Sequence, residues 1–510
     1  MMPDTEHMER KQHPKGRVRM KTELMKKWFA LLLVLAVLPA GAFACTAVCI
    51  GSNLTADGST IFARLEEYAA AGGWPKLFER IPESAHAAGE VYTGCYGFTW
   101  TFTHDSYGYT AFRDNNSRGI CPDCGGAHAH TPYQAGGTNS RGVSVTATET
   151  LIGKPEIAAV DPFNIESGIE EAEIPTILLS EASTAREAMT LLTSIYADTG
   201  ARAGGSVIVG DADEVWYIEN LSGTQYIAVR LNADLAFVCP NISVIGLISL
   251  NDTENVAASD RLIETAVTAG TFSGNQETRT IDYAISYDNA SDSAFLRLAA
   301  GLNYLSGDSA YPADLTRAGI DGSAFRISNV DPEGQIVPLY THVRLEGKPG
   351  IREIMAFYQQ EPISRHRSLE THIFRISGHA EDGTVEWVSM ADNRSSVFVP
   401  YNPLDEAEIF KPFHAATDMP EHTAEKPDDG LCFKIKDGTW GIYPDGWRNS
   451  WYWVFTMLEH IAAEDEAAAV TFREKMDALQ DEICAGGETG NQAAEKCWHA
   501  ALDLLSDFGR

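Results

Sequence analysis

The sequence predicts an α+β fold with mixed, largely antiparallel sheets and a helical segment at the C-terminal end. Three observations support this prediction. A hairpin-like pair of strands follows residue 44, a meander of strands follows one long amphipathic helix, and several helical segments end the chain. A doubly wound parallel sheet is excluded as the simple answer, because its strands and helices would alternate regularly.

The first 44 residues have the pattern of a secretory signal peptide. Eight lysines and arginines precede the apolar run Trp28 to Leu38, and Ala42-Phe43-Ala44 carries the small residues that signal peptidase requires. The run is shorter than the roughly 20 residues of a membrane-spanning helix. We therefore expect an exported protein, periplasmic or extracellular, that begins at Cys45 and has no stable membrane insertion.

A lipid on Cys45 is the alternative, since lipidation also modifies a cysteine that follows an apolar run. That signal usually has leucine or another aliphatic residue three positions before the cysteine, where this chain has Ala42, and the bulky Phe43 follows. An unmodified Cys45 is therefore favoured.

Charge and composition limit the classes of partner that the protein can bind. The formal net charge is −32, and residues 1–44 hold eight basic and four acidic residues, so their removal would make it −36. Such a chain repels nucleic acid and anionic membranes. A hydrophobic content of 44% is typical of a globular protein with a real core. The sequence does not determine the oligomeric state, and a homo-oligomer is among the states that it permits.

Three parts are expected along the chain. Residues 1–44 are the signal peptide, residues 45–420 a catalytic domain, and residues 421–510 a helical extension packed on that domain. The polar segment 411–429 lies at the boundary between the last two parts.

The first predicted hairpin places an arginine beside Cys45. Residues 45–50 and 60–64 have strand character, and turn residues lie between them. In a symmetric hairpin with Ile50 opposite Ser59, Cys45 would lie opposite Arg64. Neighbouring strands are about 4.8 Å apart, so Arg64 would sit beside the cysteine.

The remaining elements follow from residue periodicity. In the helix 184–199, Thr184 and Glu187 predict a capping box and Gly200 a C-terminal end. The aromatic stretch Trp447–Phe455 is interpreted as the core-packing face of a helix. The predicted strands are 142–148, 206–209, 215–219, 226–231, 235–238, 372–376, 385–390 and 396–399, and the other helices are 294–305, 351–359, 453–463, 466–484 and 492–505.

Eight cysteines besides Cys45 permit up to four disulfides in an exported protein. Cys484 and Cys497 flank a glycine-rich turn and are expected to join two helices. Cys121 and Cys124, with His128 and His130 close by, have ligand types suited to zinc. A local disulfide is the simpler interpretation of that segment.

Cys45 is the candidate nucleophile. A cysteine at the start of a mature chain carries a thiol and an α-amine with similar pKa values, about 8.5 and about 7.7–8.0. The neutral amine can take the thiol proton, a guanidinium such as that of Arg64 stabilises the thiolate, and asparagine amides can hold the oxyanion of acyl transfer. This chemistry needs no cofactor and no metal.

Several segments resemble one known family. They are Cys45-Thr46, Asp57-Gly58-Ser59-Thr60, Ala63-Arg64-x-x-Glu67, Thr138–Val143 leading into Thr146–Glu149, Pro240-Asn241 with Ile245-Gly246, and Glu370–Phe374 with Ser396–Pro400. In this order, over residues 45–460, the chain resembles the bacterial dipeptidase A family of N-terminal-nucleophile cysteine hydrolases. It is more distantly similar to choloylglycine hydrolase and penicillin V acylase.

The resemblance implies a four-layer αββα sandwich and the hydrolysis of dipeptides or short peptides. It implies catalytic roles for Cys45 as nucleophile, Arg64 and Glu67 as residues that order the site, and Asn139 and Asn241 as oxyanion donors. Glu67 stands where the family usually has aspartate. Further departures are Cys49, Leu65 where asparagine is common, and the segment around Cys121.

Two other functions stay open. An N-acyl amide hydrolase of the bile-salt or penicillin V type would keep the fold and change the substrate. A lipid-anchored, non-enzymatic binding protein would use Cys45 for attachment only. The sequence does not show the shape of the substrate pocket, so small peptides are favoured by closeness of motif alone.

Overall fold

The architecture is built from two large antiparallel sheets. The computed structural model describes residues 45–67, 74–115, 132–149, 151–365, 368–377, 383–405, 408–428, 431–434, 438–486 and 488–510. The predicted zinc or disulfide segment with Cys121 and Cys124, and the predicted signal peptide, lie outside these residues. Within the described part, no helix is both long and apolar enough to cross a membrane.

The strands are mostly short and alternate with turns. They are β1 (Thr46–Ile50), β2 (Thr60–Glu67), β3 (Lys76–Ile81), β4 (Val91–Thr93), β5 (Thr99–Thr101), β6 (Tyr109–Asp114), β7 (Gln134–Thr138), β8 (Ser144–Glu149), β9 (Gly205–Gly210), β10 (Val215–Asn220), β11 (Tyr226–Leu231), β12 (Ala236–Cys239), β13 (Leu247–Ser249), β14 (Val256–Ala258), β15 (Gly274–Asn275), β16 (Thr280–Asp282), β17 (Ser328–Val330), β18 (Ile336–Tyr340), β19 (Ser368–Ile376), β20 (Thr384–Met390), β21 (Val399–Tyr401), β22 (Glu421–Thr423), β23 (Cys432–Lys434) and β24 (Trp440–Ile442).

The α-helices lie mainly in the middle and at the end of the chain. They are α1 (Pro155–Val160), α2 (Ile174–Glu181), α3 (Ala185–Asp198), α4 (Leu262–Ala269), α5 (Tyr283–Tyr287), α6 (Asp292–Ser306), α7 (Ile351–Phe357), α8 (Trp451–Glu464), α9 (Glu466–Cys484) and α10 (Gly490–Asp507).

The two large sheets face each other. One has six strands in the order β12-β1-β2-β19-β20-β21, and the other has eight in the order β14-β11-β10-β9-β8-β7-β6-β3. Aromatic rings interlock between them: the Phe374 ring of β19 lies 5.0 Å from that of Phe62 and 6.3 Å from that of Phe112 in β6. Side chains alternate along a strand, so each sheet also presents an outer face.

Helices cover both outer faces. Helices α2 and α3 bury Leu178 and Leu192 against Val145 and Val209 of the eight-stranded sheet. On the other side, Gly301 of α6 lies against Val238 of β12, and α8 packs on β20. The predicted four-layer αββα arrangement of an α+β fold is confirmed.

The first hairpin differs from its predicted register by two residues. Ile50 pairs with Ile61 rather than Ser59, and Ala47 rather than Cys45 lies opposite Arg64. The cause is a longer turn: the Ser59 amide and hydroxyl donate to Asp57, and the Thr55 hydroxyl donates to the Ser59 carbonyl. Because the shift is even, Arg64 keeps the face that it shares with Cys45.

Helix α3 begins with half of the predicted capping box. The Thr184 hydroxyl accepts a hydrogen bond from the Glu187 amide at 3.1 Å. The Glu187 carboxylate accepts from the amide and hydroxyl of Ser183, one residue before the expected partner. Gly200, with φ of 86°, follows the helix as predicted.

The C-terminal helices continue the core of the sheets. Trp451, Trp453 and Phe455 of α8 are buried in the same apolar cluster as Val388 of β20, which confirms the interpretation of the aromatic stretch. Helix α10 packs on β21 and α8. The predicted strand 396–399 is displaced, since β21 begins only at Val399.

The expected disulfide between Cys484 and Cys497 is not formed. Both residues are free thiols. The Cys484 sulfur accepts a hydrogen bond from Gln480 at 3.7 Å and lies 3.9 Å from the Met355 sulfur. Helices α9 and α10 are held together by buried apolar side chains such as Ile483 and Ala494.

Candidate active site

Cys45 and Arg64 meet between the two sheets. Cys45 immediately precedes β1, and a guanidinium nitrogen of Arg64 donates to the Cys45 sulfur at 3.1 Å. Cys45 is 2% exposed and Arg64 is 1% exposed. The structure therefore brings together the two residues that the sequence placed side by side, although they are not directly paired across the hairpin.

Arg64 also binds a carboxylate that the sequence analysis missed. The nitrogen that reaches Cys45 donates to Glu171 at 2.5 Å and to the Tyr133 hydroxyl at 3.0 Å. The Tyr133 hydroxyl in turn donates to Glu171 at 2.5 Å. Burial opposes a charge on Arg64, yet the neighbouring Cys45 and Glu171 raise the pKa of the guanidinium, so it is a permanent cation.

The charges around Cys45 act in opposite directions on its thiol. Burial raises the pKa of Cys45, Arg64 lowers it, and the carboxylates of Glu171 and Glu66 raise it. The net direction is upward from the ordinary pKa of a thiol, so the Cys45 thiol is protonated at neutral pH. A base close to the sulfur is needed to form the thiolate.

A second arginine contacts Cys45 from the helical side. Arg297 of α6 donates to the Cys45 carbonyl at 2.6 Å and to the Asn241 side-chain oxygen at 2.7 Å. Burial lowers the pKa of Arg297 to about 10, while Glu67 acts in the opposite direction. Arg297 is thus still a cation at neutral pH. Sequence reasoning missed it because the neighbouring residues of α6 are apolar core positions.

Asn241 is held beside Cys45 by a strained turn. It follows β12, has a φ of 65°, and turns its side-chain oxygen to Arg297. The buried carboxylate of Glu219 fixes this turn, because it accepts from the Ser243 hydroxyl at 2.5 Å and from the Val244 amide at 2.8 Å. The amide nitrogen of Asn241 is the end that points away from Arg297.

Asn139 lies in the turn that follows β7. Its side-chain nitrogen donates to the carbonyls of Leu179 and Ala182, and its oxygen accepts from the amides of Arg141 and Val143. Both amide hydrogens are therefore used to tie the turn after β7 to the end of α2. The oxyanion role that the family resemblance implies for Asn139 stays a prediction.

Glu67 lies on the opposite face of β2 from Arg64. The two residues are three positions apart, and side chains alternate along a strand. Glu67 is fully buried on the side of Arg297 and lies 3.8 Å from the Arg365 guanidinium. It therefore acts on Arg297 rather than on Arg64.

A second polar array lies near Arg64. His372 of β19 is directly opposite Arg64 in the six-stranded sheet. One ring nitrogen of His372 lies 2.7 Å from the Thr146 hydroxyl and the other lies 3.0 Å from Glu370. All three side chains are buried. Hydroxyl, imidazole and carboxylate thus form a line that resembles a hydrolase triad.

Comparisons with known proteins place the site in context. The model of peptidase family C69 matches residues 44–305, which is about half of the chain. "Probable dipeptidase B" of Streptococcus pyogenes serotype M1 is 29% identical over 71% of this chain and 72% of its own length. "Probable dipeptidase" of Salmonella dublin is 28% identical over 74% of this chain and 84% of its own length.

The chain also matches solved structures. A mutant of the conjugated bile acid hydrolase from Clostridium perfringens is 10% identical, with a TM-score of 0.26, over 68% of this chain and 89% of that chain.

Proposed function

The chain belongs to peptidase family C69, and on that basis we propose that it is an exported cysteine dipeptidase that hydrolyses dipeptides or short peptides. Cys45 is the nucleophile once the Ala44–Cys45 bond has been cut. The observation that carries this proposal is the contact of 3.1 Å between the Cys45 sulfur and the buried guanidinium of Arg64. A thiol beside a permanent cation is the arrangement that a cysteine nucleophile needs.

Removal of residues 1–44 supplies the missing base. In the uncut chain the Cys45 nitrogen is part of an amide and cannot accept a proton. Cleavage turns it into an amine with a pKa of about 7.7–8.0, on the same residue as the thiol. The amine then takes the thiol proton, directly or through one water, and Arg64 stabilises the thiolate that remains.

The thiolate attacks the carbonyl carbon of the peptide bond. A sulfur–carbon bond forms while the carbonyl oxygen becomes negative, and collapse of this intermediate breaks the carbon–nitrogen bond. The ammonium of Cys45 returns its proton to the departing amine. Water then attacks the acyl-enzyme, which releases a carboxylic acid and restores the thiol.

Asn241 is the residue that supports the oxyanion in this proposal. Its side-chain oxygen is turned to Arg297 at 2.7 Å, so the amide nitrogen is presented on the other side. Losing one such donor typically lowers the rate about 10²–10³-fold. Arg297 fixes Asn241 and the Cys45 carbonyl together, and Glu67 offsets part of its charge.

The experiment that tests the proposal measures the start of the exported chain and its activity together. We expect intact mass and N-terminal sequencing to find an unmodified Cys45, and the purified protein to hydrolyse dipeptides. Ala44→Leu should block both the cleavage and the activity. Phe43→Leu is the matched control, because signal peptidase tolerates many residues at that position.

Two results would contradict the proposal. A diacylglyceryl group on Cys45 would block the amine and remove the base. Hydrolysis of N-acyl amides with no action on dipeptides would assign the same nucleophile to a different substrate class.

A further inference from the structure

The carboxylate of Glu171 lies close to Cys45, where a negative charge does not help a cysteine nucleophile. Its charge raises the pKa of Cys45 and so opposes formation of the thiolate. We propose that Glu171 binds the free α-ammonium group of the substrate's first residue and so restricts the enzyme to peptides with an unblocked N-terminus. The inference rests on the proposed peptidase function and adds the residue that selects the substrate.

The distances place Glu171 within reach of that ammonium. One nitrogen of Arg64 lies 3.1 Å from the Cys45 sulfur and 2.5 Å from a Glu171 oxygen. These two contacts limit the separation of sulfur and carboxylate oxygen to 5.6 Å at most. A carbonyl carbon in position for attack lies about 3–3.5 Å from the sulfur, and the α-nitrogen is about 2.5 Å from that carbon.

The backbone around Glu171 is fixed to its neighbours. The Gln134 amide donates to the Ala172 carbonyl at 3.3 Å, and the Arg202 amide donates to the Ile169 carbonyl at 2.8 Å. The Tyr133 hydroxyl holds the carboxylate itself at 2.5 Å. Glu171 is therefore presented in one position, as a group that selects a substrate must be.

Electrostatics favour the same assignment. The Arg64 guanidinium donates to the sulfur and by itself repels an ammonium group. Glu171, which is 6% exposed, supplies the negative charge that makes this corner of the site acceptable to a cation. Bound ammonium in turn offsets the charge of Glu171, so the substrate removes part of the effect that keeps the Cys45 thiol protonated.

A purely positioning role would have Glu171 orient Arg64 and nothing else. The two roles differ in their dependence on the substrate's amine. Positioning of Arg64 affects every substrate alike, whereas recognition of the ammonium affects only substrates that carry one.

The test uses a pair of substrates that differ in this group alone. They are L-alanyl-L-alanine and N-propionyl-L-alanine, which has the same skeleton without the α-amine. For the wild-type protein we expect kcat/KM to be at least about 10²-fold higher for alanyl-alanine, since a charge-assisted contact is lost with the amine. Glu171→Gln should reduce this ratio below about 10-fold, because the glutamine keeps the hydrogen bonds and loses the charge.

Tyr133→Phe is the matched control. It removes the hydroxyl that holds both Glu171 and Arg64 but leaves the carboxylate charge in place. We expect it to lower kcat/KM for both substrates by the same factor, so that the ratio stays at the wild-type value. An effect that acts through Arg64 changes kcat/KM for both substrates equally, so it cancels in the ratio of the two values.

Two outcomes would overturn the inference, and a third would overturn the function on which it rests. The wild-type protein could cleave both substrates equally well, or Glu171→Gln could lower both rates by the same factor. Either result leaves the peptidase function intact and assigns Glu171 to the positioning of Arg64. No hydrolysis of either substrate by the wild-type protein would instead overturn the proposed function itself. The wild-type comparison needs no variant, so it stands even where Glu171→Gln does not fold.

Discussion

Two polar arrays lie between the same sheets, and only one has the surroundings of an active site. One array is Cys45, Arg64 and Glu171, and the other is Thr146, His372 and Glu370. Their central residues, Arg64 and His372, are direct neighbours on adjacent strands. By residue type alone, the second array is the more familiar catalytic set.

The difference lies in what surrounds each candidate nucleophile. Thr146 is in the middle of β8, paired with Gly136 on one side and Ile208 on the other. Cys45 precedes β1, and Arg297 and the Asn241 turn approach it from the helical side. Cleavage after Ala44 would create a chain end at Cys45, and no comparable event could open the site of Thr146. A row of residues of suitable types can therefore catalyse hydrolysis only where a substrate can reach it and an oxyanion donor lies nearby.

The largest expected effect comes from replacing the candidate nucleophile of each array, Cys45 or Thr146. Cys45→Ala should lower kcat/KM for a dipeptide by about 10³-fold or more, because no other group forms the acyl-enzyme. Thr146→Val should leave kcat/KM within about threefold of the wild-type value. Equal losses in the two variants, measured on folded protein, would contradict the separation of the arrays.

The second prediction concerns the two central residues. Arg64→Met should lower kcat/KM about 10²–10³-fold. Without the guanidinium, burial and the carboxylates raise the pKa of Cys45 further, so the thiolate forms only at higher pH. The acidic limb of the kcat/KM–pH profile should move upward accordingly. His372→Gln, directly opposite, is the control and should leave the limb where it is.

The third prediction compares Glu171, which a guanidinium contacts, with Glu219, a buried acid whose hydrogen-bond donors are uncharged. Burial raises the pKa of Glu219 from 4.5 to about 7. The folded state therefore binds more protons than the unfolded state between these values, and stability falls as the pH rises through that window. The loss should approach about 3 kcal/mol near pH 8.

Urea unfolding between pH 5 and pH 8 measures this slope. Glu219→Gln should make the slope shallower by the share of Glu219, since glutamine does not titrate. The slope does not vanish, because burial also raises the pKa of Glu386 to about 7. Glu495→Gln, a change at an exposed position, should leave the slope unchanged. An identical slope in the wild-type and Glu219→Gln proteins would show that Glu219 does not set it.

The smallest effect concerns the stability supplied by the second array. Thr146→Val leaves the His372 ring nitrogen buried without its partner, which should lower the free energy of unfolding by about 1–3 kcal/mol. Thr146→Ser keeps the hydroxyl and should lose less. If both variants unfold at the wild-type urea concentration, the array contributes nothing measurable to the fold.

Sequence patterns predicted the fold better than they predicted the site. The alternation in β10 and β11 and the periodicity of α9 gave element bounds close to those observed. Strands β3 and β7 were missed for a physical reason. The first contains the buried Lys76, which pairs with Glu66 and Asp114, and the second contains two glycines. Buried charges and glycines give no strand signal.

The site was predicted where its residues are close in sequence. Cys45 and Arg64 belong to one hairpin, so spacing alone brings them together. Glu171 and Arg297 come from distant segments, and no spacing in the chain connects either residue to Cys45. The main-chain contacts of Asn139 could not be predicted, because an asparagine beside a turn can bind main-chain groups as readily as an oxyanion.

The hairpin that carries Cys45 and Arg64 tolerates change only in even steps. Its turn is two residues out of the symmetric register, yet the arginine still faces the thiol. A single inserted or deleted residue would rotate Arg64 toward the helices and bring Leu65 or Ala63 to the sulfur. The turn can therefore change in length only by an even number of residues. This limit applies to the evolution of relatives and to any attempt to graft the nucleophile onto another scaffold.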